Sequence, residues 1–417
     1  MKKVMRKSAK FILILTALLT VTIPGCNLSD PADTPDFEVS EKSARLIDAN
    51  NQFGFELFQQ VYAWEEEAEN IMVSPLSLAL ALAMTYNGAE GTTKVALEKT
   101  LRLNGLSTSE INESYQSLVK NLQSVDPKVL LEIANAIFYR KDFEVENNFV
   151  QVNQTHYNAE ISALDFDSPL ALQTINGWVN DKTRGKIPFI LDQITPSHVM
   201  FLLNAIYFKG TWTKEFNPKN TVKQDFTTGQ GTSAETNLMH RVDTLDYLRN
   251  DLFSAIRLSY GKENYNMYVL LPEPDKKVKD IIARLNKENW TTWMKQFKKT
   301  NTVDIMLPRF KFPYEIKLND VLTDMGMGIA FGSAADFTGI NRGGELNIDY
   351  VKQKTFVEVN EEGTEAAAVT VVAIERTSIG PSKTYFHVTR PFLFAITEKT
   401  TGAVMFIGTV KNPAAGS

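Results

Sequence analysis

The residues able to carry out acid–base or nucleophilic chemistry are few in this sequence, and their spacing fits no catalytic motif. The histidines are His156, His198, His240 and His387, and they show no H-E-x-x-H or other metal-ligand spacing. No G-x-S-x-G turn or phosphate-binding loop is present. Ser74 precedes Pro75, which is typical of a helix start and not of a nucleophile turn. The sequence therefore gives no support to a hydrolase or a metalloenzyme, and no cofactor is expected.

The single cysteine, Cys26, ends a segment with the features of a processing signal. Basic residues precede an apolar run over residues 11–23, which is too short to span a bilayer as a mature helix. The run ends in Ile23-Pro24-Gly25-Cys26, which is similar to a bacterial lipobox, so Cys26 is expected to carry lipid and hold the protein at a membrane. Because Pro24 departs from that pattern, secretory cleavage of residues 1–26 without lipidation is the alternative. In either case we expect an extracytoplasmic protein, in the cell envelope, at the cell surface or secreted.

Length and composition indicate one large globular domain behind this signal. The chain has 417 residues, of which 43% are hydrophobic and 22% charged, enough for a sizeable core. Residues 27–43 are polar and acidic and should form a flexible tether. A domain over residues 44–413 and a tail over residues 414–417 follow. The formal net charge of -5 argues against nucleic acid as a partner.

The segment over residues 361–376, EEGTEAAAVTVVAIER, combines acidic, small and β-branched residues. Its β-branched part favours extended backbone. In a strand, one face would carry only small to medium side chains, from Thr364 to Val372. Such a strand could enter between two strands that are already packed. The competing interpretation is that Thr364 caps a helix that begins with the alanines after Glu365.

The sequence on both sides of this segment resembles the serpin family. The matching motifs are VEVNEEGTEAAA, YFHVTRPFLFAI, MFIGTVKNP, INGWVNDKTRGKIPFIL and MFLLNAIYFKGTWTKEFNP, and the resemblance extends from about residue 45 to Pro413. It implies a mixed α/β fold of the α+β type, the serpin fold, with about nine helices and three β-sheets. It also implies an exposed reactive-centre loop over residues 361–385.

The resemblance assigns roles to residues around that loop. The hinge through which the loop would insert consists of Glu361, Gly363, Thr364, Glu365, Ala366, Ala367 and Ala368. Trp212 and Arg309 correspond to the upper end of the main sheet, where Arg309 would pair with Glu361. Ser74, Ser77, Asn204 and Gln353 correspond to the central opening of that sheet. Many serpins have histidine in place of Gln353, and because glutamine does not titrate we expect no pH switch there.

The implied function is irreversible inhibition of a serine protease, so an inhibitor is expected and not an enzyme. Counting fourteen residues from Gly363 gives Thr377-Ser378 as the bond cut, which suits elastase-like or subtilisin-like enzymes. Cleavage one residue earlier, at Arg376-Thr377, would suit a trypsin-like enzyme, and papain-like cysteine proteases are further candidate targets. The unbroken run of alanines favours inhibition, because bulky residues would hinder insertion. The alternative is a non-inhibitory serpin-fold substrate or binding protein.

In some serpins the helix that corresponds to residues 111–128 binds heparin. Here only Lys120 and Lys128 are basic in that segment, so no heparin site is expected. The protein is expected to act as a monomer.

Overall fold

The first helix begins at a serine cap. The computed structural model describes residues 39–364 and 383–415 of the chain. In it α1 (Glu41–Trp64) starts where the Ser40 hydroxyl accepts a hydrogen bond from the backbone N–H of Ser43, one of the free donors of the first turn. The boundary between tether and domain therefore lies before Glu41 and not at residue 44 as expected.

Eight further helices follow α1 in the described residues. They are α2 (Pro75–Tyr86), α3 (Gly91–Thr100), α4 (Thr108–Ser124), α5 (Asn147–Tyr157), α6 (Pro169–Lys182), α7 (Val278–Ile282), α8 (Lys287–Gln296) and α9 (Asn319–Leu322). At α2 the N-cap is Ser74 and the first helical residue is Pro75, as predicted. At α4 Ser107 and Glu110 form a capping box, which satisfies two free N–H groups at once.

Fifteen strands form two sheets in the described residues. They are β1 (Asn70–Val73), β2 (Val129–Arg140), β3 (Glu160–Leu164), β4 (Met200–Thr211), β5 (Val222–Thr227), β6 (Ser233–Arg249), β7 (Phe253–Tyr260), β8 (Tyr265–Pro272), β9 (Lys298–Pro308), β10 (Phe310–Lys317), β11 (Lys352–Val359), β12 (Gly363–Thr364), β13 (Thr384–His387), β14 (Phe392–Glu398) and β15 (Val404–Val410). The six-stranded sheet has the order β10-β11-β12-β4-β2-β3. The nine-stranded sheet has the order β1-β15-β14-β8-β7-β6-β9-β13, with β5 paired to β6.

The core lies where the two sheets and helix α2 meet. Strands β8, β14 and β15 are buried along their whole length, as strands covered on both faces are. In β10 buried and exposed residues alternate, so only one of its faces belongs to the core. Helix α2 contacts β4 of one sheet and β15 of the other, and it is buried on nearly every side. The start of α2 is thereby fixed behind the middle of the six-stranded sheet.

The predicted fold class is confirmed, together with its nine helices over the described residues. Three sheets are predicted, and over the described residues the strands form two hydrogen-bonded sheets, because β6 pairs with β5, β7 and β9 and joins their strands into one sheet. Helix α9 ends at Leu322. A wider turn follows over Thr323–Met327, in which Gly326 has a φ of 103° that interrupts helical geometry. Within residues 39–364 and 383–415, no helix has both the length and the apolar character needed to cross a membrane.

Candidate functional site

The candidate site is the end of the six-stranded sheet where β12 lies between β11 and β4. Gly363 pairs with Thr211 and Thr364 with Gly210 on β4, while Thr364 also pairs with Val359 on β11. The Asn360 N–H donates to the Gly363 carbonyl over 2.9 Å and closes the turn from β11 into β12. Two residues of the predicted hinge are therefore already part of the sheet. That Gly363 and Thr364 are paired on both sides could not be predicted from the sequence.

Gly363 occupies a position with no room for a side chain. A Cβ atom there would lie 2.0 Å from the carbonyl oxygen of Gly210 and 2.7 Å from the Cα of Thr211. Both distances are far inside van der Waals contact, so only glycine allows β12 to approach β4 this closely. The glycine expected as a pivot is thus also the residue that admits the hinge into the sheet.

Trp212 covers the end of β12. Its backbone N–H donates to the Glu362 carbonyl over 2.6 Å, and its indole Nε1–H donates to the Asn360 carbonyl over 3.0 Å. The indole is buried and stacks on Tyr260, with ring centroids 4.4 Å apart and an angle of 15° between the planes. Trp212 therefore binds the backbone of the chain entering the sheet, in addition to filling the core.

Glu361 is held by two neighbours. Arg309 Nε and Nη2 donate to Oε1 of Glu361 over 2.8 and 2.5 Å, and the Thr221 hydroxyl donates to the same oxygen. The glutamate side chain is 5% exposed and the arginine side chain 42% exposed, so the pair lies at the edge of the protein interior. Because a buried carboxylate without partners is costly, these contacts fix the turn before β12.

Gln353 and Ser74 are joined by two hydrogen bonds of 2.9 Å. The Ser74 N–H donates to Gln353 Oε1, and Gln353 Nε2 donates to the Ser74 carbonyl. The Ser74 hydroxyl donates to the Met405 carbonyl over 2.7 Å and accepts from the Ser77 N–H over 3.3 Å. The glutamine amide thus satisfies one donor and one acceptor of a buried backbone without a titrating group.

Asn204 does not join this pair, although the resemblance grouped it with Ser74, Ser77 and Gln353. Its Nδ2 donates to Asn135 Oδ1 over 2.6 Å, while its Oδ1 is buried without a hydrogen-bond partner in the described residues. Asn135 in turn donates to the Tyr157 carbonyl over 2.7 Å. The two amides, Gln353 and Asn204, therefore belong to separate hydrogen-bond networks on opposite sides of the gap described next.

A cavity of about 200 Å³ separates β4 from β11 beyond β12. Residues 199–206 line it on the β4 side and residues 350–354 on the β11 side, with Ser77 and Leu82 of α2 behind. Within the described residues β4 and β11 are connected in the sheet through β12 alone. In the described residues, Gly363 and Thr364 of β12 thus lie between β11 and β4 at one end of this gap.

A second polar cluster lies on the nine-stranded sheet, across β6, β9 and β13. His240 Nε2 and His387 Nε2 each lie 3.0 Å from Oδ1 of Asp304, and Lys383 Nζ lies 3.5 Å from its Oδ2. Burial raises the pKa of Asp304, but the hydrogen bonds from His387 and His240 outweigh this and hold the pKa below its usual value. No group of three or more described His, Cys, Asp or Glu residues has the geometry of a metal site.

Several predicted site residues fall outside the described residues. They are Cys26, Glu365, Ala366, Ala367, Ala368, Arg376, Thr377 and Ser378. The loop predicted over residues 361–385 is shorter at both ends than expected. Glu361 and Glu362 are buried, Gly363 and Thr364 form β12, and Thr384 and Tyr385 belong to β13.

Comparison with known families and proteins gives consistent matches. The family model described as "Serpin (serine protease inhibitor)" matches residues 48–413. Serpin A3-1 of Bos taurus is 31% identical over 374 residues, which cover 88% of this chain and 89% of that protein. Iripin-2 of Ixodes ricinus is 31% identical over 378 residues, 89% of this chain and 94% of that protein. An uncharacterized serpin-like protein of Thermococcus kodakarensis is 31% identical over 433 residues, 97% of this chain and 99% of that protein.

Solved structures show the same likeness. The native state of tengpin, a thermophilic serpin, has a TM-score of 0.82 and 34% identity, and the match covers 90% of this chain and 95% of that one. Human thyroxine-binding globulin, solved in complex with thyroxine, has a TM-score of 0.80 and 26% identity, with 89% and 99% of the two chains covered.

Proposed function

The chain belongs to the serpin family, whose members are generally protease inhibitors, and we propose that it is an irreversible suicide-substrate inhibitor of serine proteases. A protease would attack the reactive loop and form an acyl-enzyme. Cleavage would free the hinge to continue into the sheet and carry the attached protease to the far end. Distortion there would stop the hydrolysis of the acyl bond, so each inhibitor molecule would be consumed once.

The observation that carries this proposal is the gap between β4 and β11. β12 pairs with Gly210 and Thr211, so within the part of the chain that the structure describes, the edge of β4 from residue 209 back to residue 200 has no strand beside it on that side. The facing residues of β11 before Val359 are in the same situation. A strand entering here would gain backbone hydrogen bonds on both sides, each worth a net ~0.5–1.5 kcal/mol. About a dozen residues would therefore gain roughly 10 kcal/mol, as much as the stability of an ordinary domain.

The chain has the right length and composition to fill this gap. Thirteen residues, 365–377, separate Thr364 from the proposed scissile bond after Thr377. At about 3.3 Å per residue they would extend roughly 43 Å, close to the length of a strand such as β4. The small side chains of Ala366 and Ala368 would face the same way as Thr364, whose own side chain is accommodated in the interior.

The experiment is to mix the purified protein with elastase, subtilisin and trypsin. We expect a covalent complex that survives SDS and heating with at least one of them. The mass of the released C-terminal peptide distinguishes cleavage after Thr377 from cleavage after Arg376. Protein nicked in the loop should also melt far above the intact form. Equal melting of both forms, with no complex from any protease, would rule the proposal out. Papain, added to the same panel, tests whether cysteine proteases are also inhibited.

A second candidate is a serpin-fold binding protein that is cleaved without trapping. It is favoured by the likeness to thyroxine-binding globulin, a protein solved with bound thyroxine. Turnover of the loop by every protease in the panel, without a stable complex, would support this candidate. If the protein is an inhibitor, roughly one protease molecule should be trapped for each inhibitor molecule that is cleaved.

We further propose that the protein is extracytoplasmic and attached to a membrane through lipid on Cys26. The proposal rests on the basic and apolar segments before Cys26. Incorporation of labelled palmitate into the wild type, and its loss in Cys26→Ala, would support it. Equal labelling of both forms would exclude Cys26 as the site.

A further inference from the structure

Strand β13, which follows the reactive loop, presents an aromatic side chain to solvent at the edge of the nine-stranded sheet. In the described residues β13 pairs with β9 alone, so its other edge is open. Tyr385 on this strand is 64% exposed, although large aromatic side chains are usually at least half buried. The next residue, Phe386, is fully buried and packs edge-on against Tyr247, with ring centroids 6.4 Å apart. The strand is thus anchored on one face and displays Tyr385 on the other.

The ring of Tyr385 packs against His387, which lies on the same face of β13. It meets the His387 ring edge-on, with centroids 5.4 Å apart and 84° between the planes. His387 is fixed by its hydrogen bond to Asp304, and Asp304 is fixed in turn by His240 on β6. An exposed aromatic residue with a rigid support loses little conformational freedom when a partner binds, and this is typical of interface hot spots.

The exposed charge beside Tyr385 is the positive charge of Lys383. Asp304 is 7% exposed, and its carboxylate contacts the two imidazoles and the Lys383 ammonium group. The Lys383 side chain, by contrast, is 46% exposed. A partner would therefore meet an aromatic ring beside a positive charge, and would complement it with an apolar depression that has carboxylates at its rim.

We propose that Tyr385, together with Lys383, forms a secondary contact site for the protease that attacks the reactive loop. The protease is the expected partner because Tyr385 follows the proposed scissile bond closely in the chain. Tyr385 is seven residues after Ser378, so the two residues lie within about 25 Å of each other even if the chain between them is fully extended. A globular enzyme of roughly 230 residues has a radius of gyration of about 17 Å, so its body extends over such a distance from the bound bond. The site rests on the proposed inhibitory function and adds a determinant of protease choice outside the loop.

The test compares the second-order rate constant of inhibition for the wild type, Tyr385→Ala and Tyr385→Phe. We expect Tyr385→Ala to lower the rate about tenfold, as loss of a moderate hot spot does, and Tyr385→Phe to retain most of it. The number of inhibitor molecules consumed per protease should not change, because insertion of the loop does not involve Tyr385. Trp64→Ala, which removes an exposed aromatic residue at the end of α1, is the matched control and should leave the rate unchanged.

The results of this comparison separate the contact site from the inhibitory function. Equal rates for the wild type and Tyr385→Ala would overturn the contact site while leaving the inhibitory function intact. A slower rate accompanied by a lower thermal midpoint and a changed stoichiometry would show a purely structural role and also overturn it. No covalent complex with the wild type would overturn the inhibitory function itself, and the contact site with it. Raising the salt concentration should weaken the contribution of Lys383, measured with Lys383→Gln.

Discussion

The hydroxyl of Thr364 lies 2.7 Å from the hydroxyl of Tyr260, and both side chains are buried beneath the entry point of β12. Burial raises the pKa of Tyr260, so the phenol stays protonated and can donate to the threonine oxygen. The first inward-facing hinge residue therefore has a specific polar partner in the core. A small hydroxyl side chain fits this position, whereas a long charged one would be buried against an uncharged phenol.

Thr364→Arg should convert the inhibitor into a substrate. A guanidinium at this position could stay in the space beside Tyr260 only as an unpaired buried charge, so the start of β12 should be displaced from the sheet. Insertion of the cleaved loop would then begin from outside the sheet and become slower than hydrolysis. Gel analysis with the reactive protease should show cleaved protein and little covalent complex. Thr364→Ser keeps the hydroxyl and should behave as the wild type. Complex formation by the arginine variant at wild-type stoichiometry would contradict the insertion mechanism.

Arg309→Ala should weaken the closed end of the sheet, because the buried Glu361 carboxylate loses both of its guanidinium hydrogen bonds. We expect a loss of about 1–2 kcal/mol, reduced from the value for a buried pair by the exposure of the arginine. The double variant Arg309→Ala/Glu361→Ala should lose less than the sum of the single variants, measured by denaturant unfolding.

The matched control for this cycle is Arg249→Ala. Arg249 makes the same two-nitrogen contact with Glu273, but on the nine-stranded sheet. The Arg249→Ala variant should lose stability without a change in the half-life of inhibitory activity at 37 °C. Arg309→Ala should shorten that half-life. Equal half-lives for the two arginine variants would show that the Glu361 pair has no special part in holding this end of the six-stranded sheet closed.

Gln353→Glu should create a pH dependence that the wild type lacks at this position. A protonated glutamic acid can accept from the Ser74 N–H and donate to the Ser74 carbonyl, as Gln353 does, whereas the carboxylate can only accept. Burial raises the pKa of such a carboxyl group above its unfolded value. Its contribution to stability is then present at low pH and lost as the pH rises through the folded-state pKa. The thermal midpoint of the variant should approach the wild type near pH 5 and fall toward pH 8. A constant difference between the two proteins would refute this assignment.

Asp304→Asn should lower the thermal stability of the protein near pH 6 but not near pH 2. The folded-state pKa of Asp304 lies below its usual value of 3.8, so the ionised carboxylate stabilises the fold above that pH. This contribution is lost as the pH falls through the folded-state pKa. The wild type should therefore melt at a higher temperature than the variant at pH 6, and the two midpoints should converge toward pH 2. Asp251→Asn, at an exposed position before β7, controls for the change in net charge. A gap that persists at pH 2 would contradict the role of the charge.

Much of the fold follows from local rules that can be applied to the sequence. Ser74 and Pro75 mark the start of α2 because their capping chemistry involves neighbours in the chain. The pairing of Arg309 with Glu361 was implied by the serpin resemblance and is seen directly. The cluster of His240, Asp304 and His387 could not be predicted, since three strands far apart in sequence bring it together. The partner of Asn204 was missed for the same reason.

By itself the sequence determined which segment is able to enter the sheet. Gly363 lacks a side chain, Thr364 is small, and the alanines that follow offer no bulk, so any strand formed here can fit between two others. Only the tertiary structure decided where Gly363 and Thr364 enter the sheet and what holds them there. The pairing of β12 with two strands, the indole of Trp212 over its backbone and the phenol of Tyr260 beneath Thr364 come from residues that are distant along the chain. Their contact depends on the packing of both sheets, because a hydrogen bond forms only when folding has brought donor and acceptor within reach of each other.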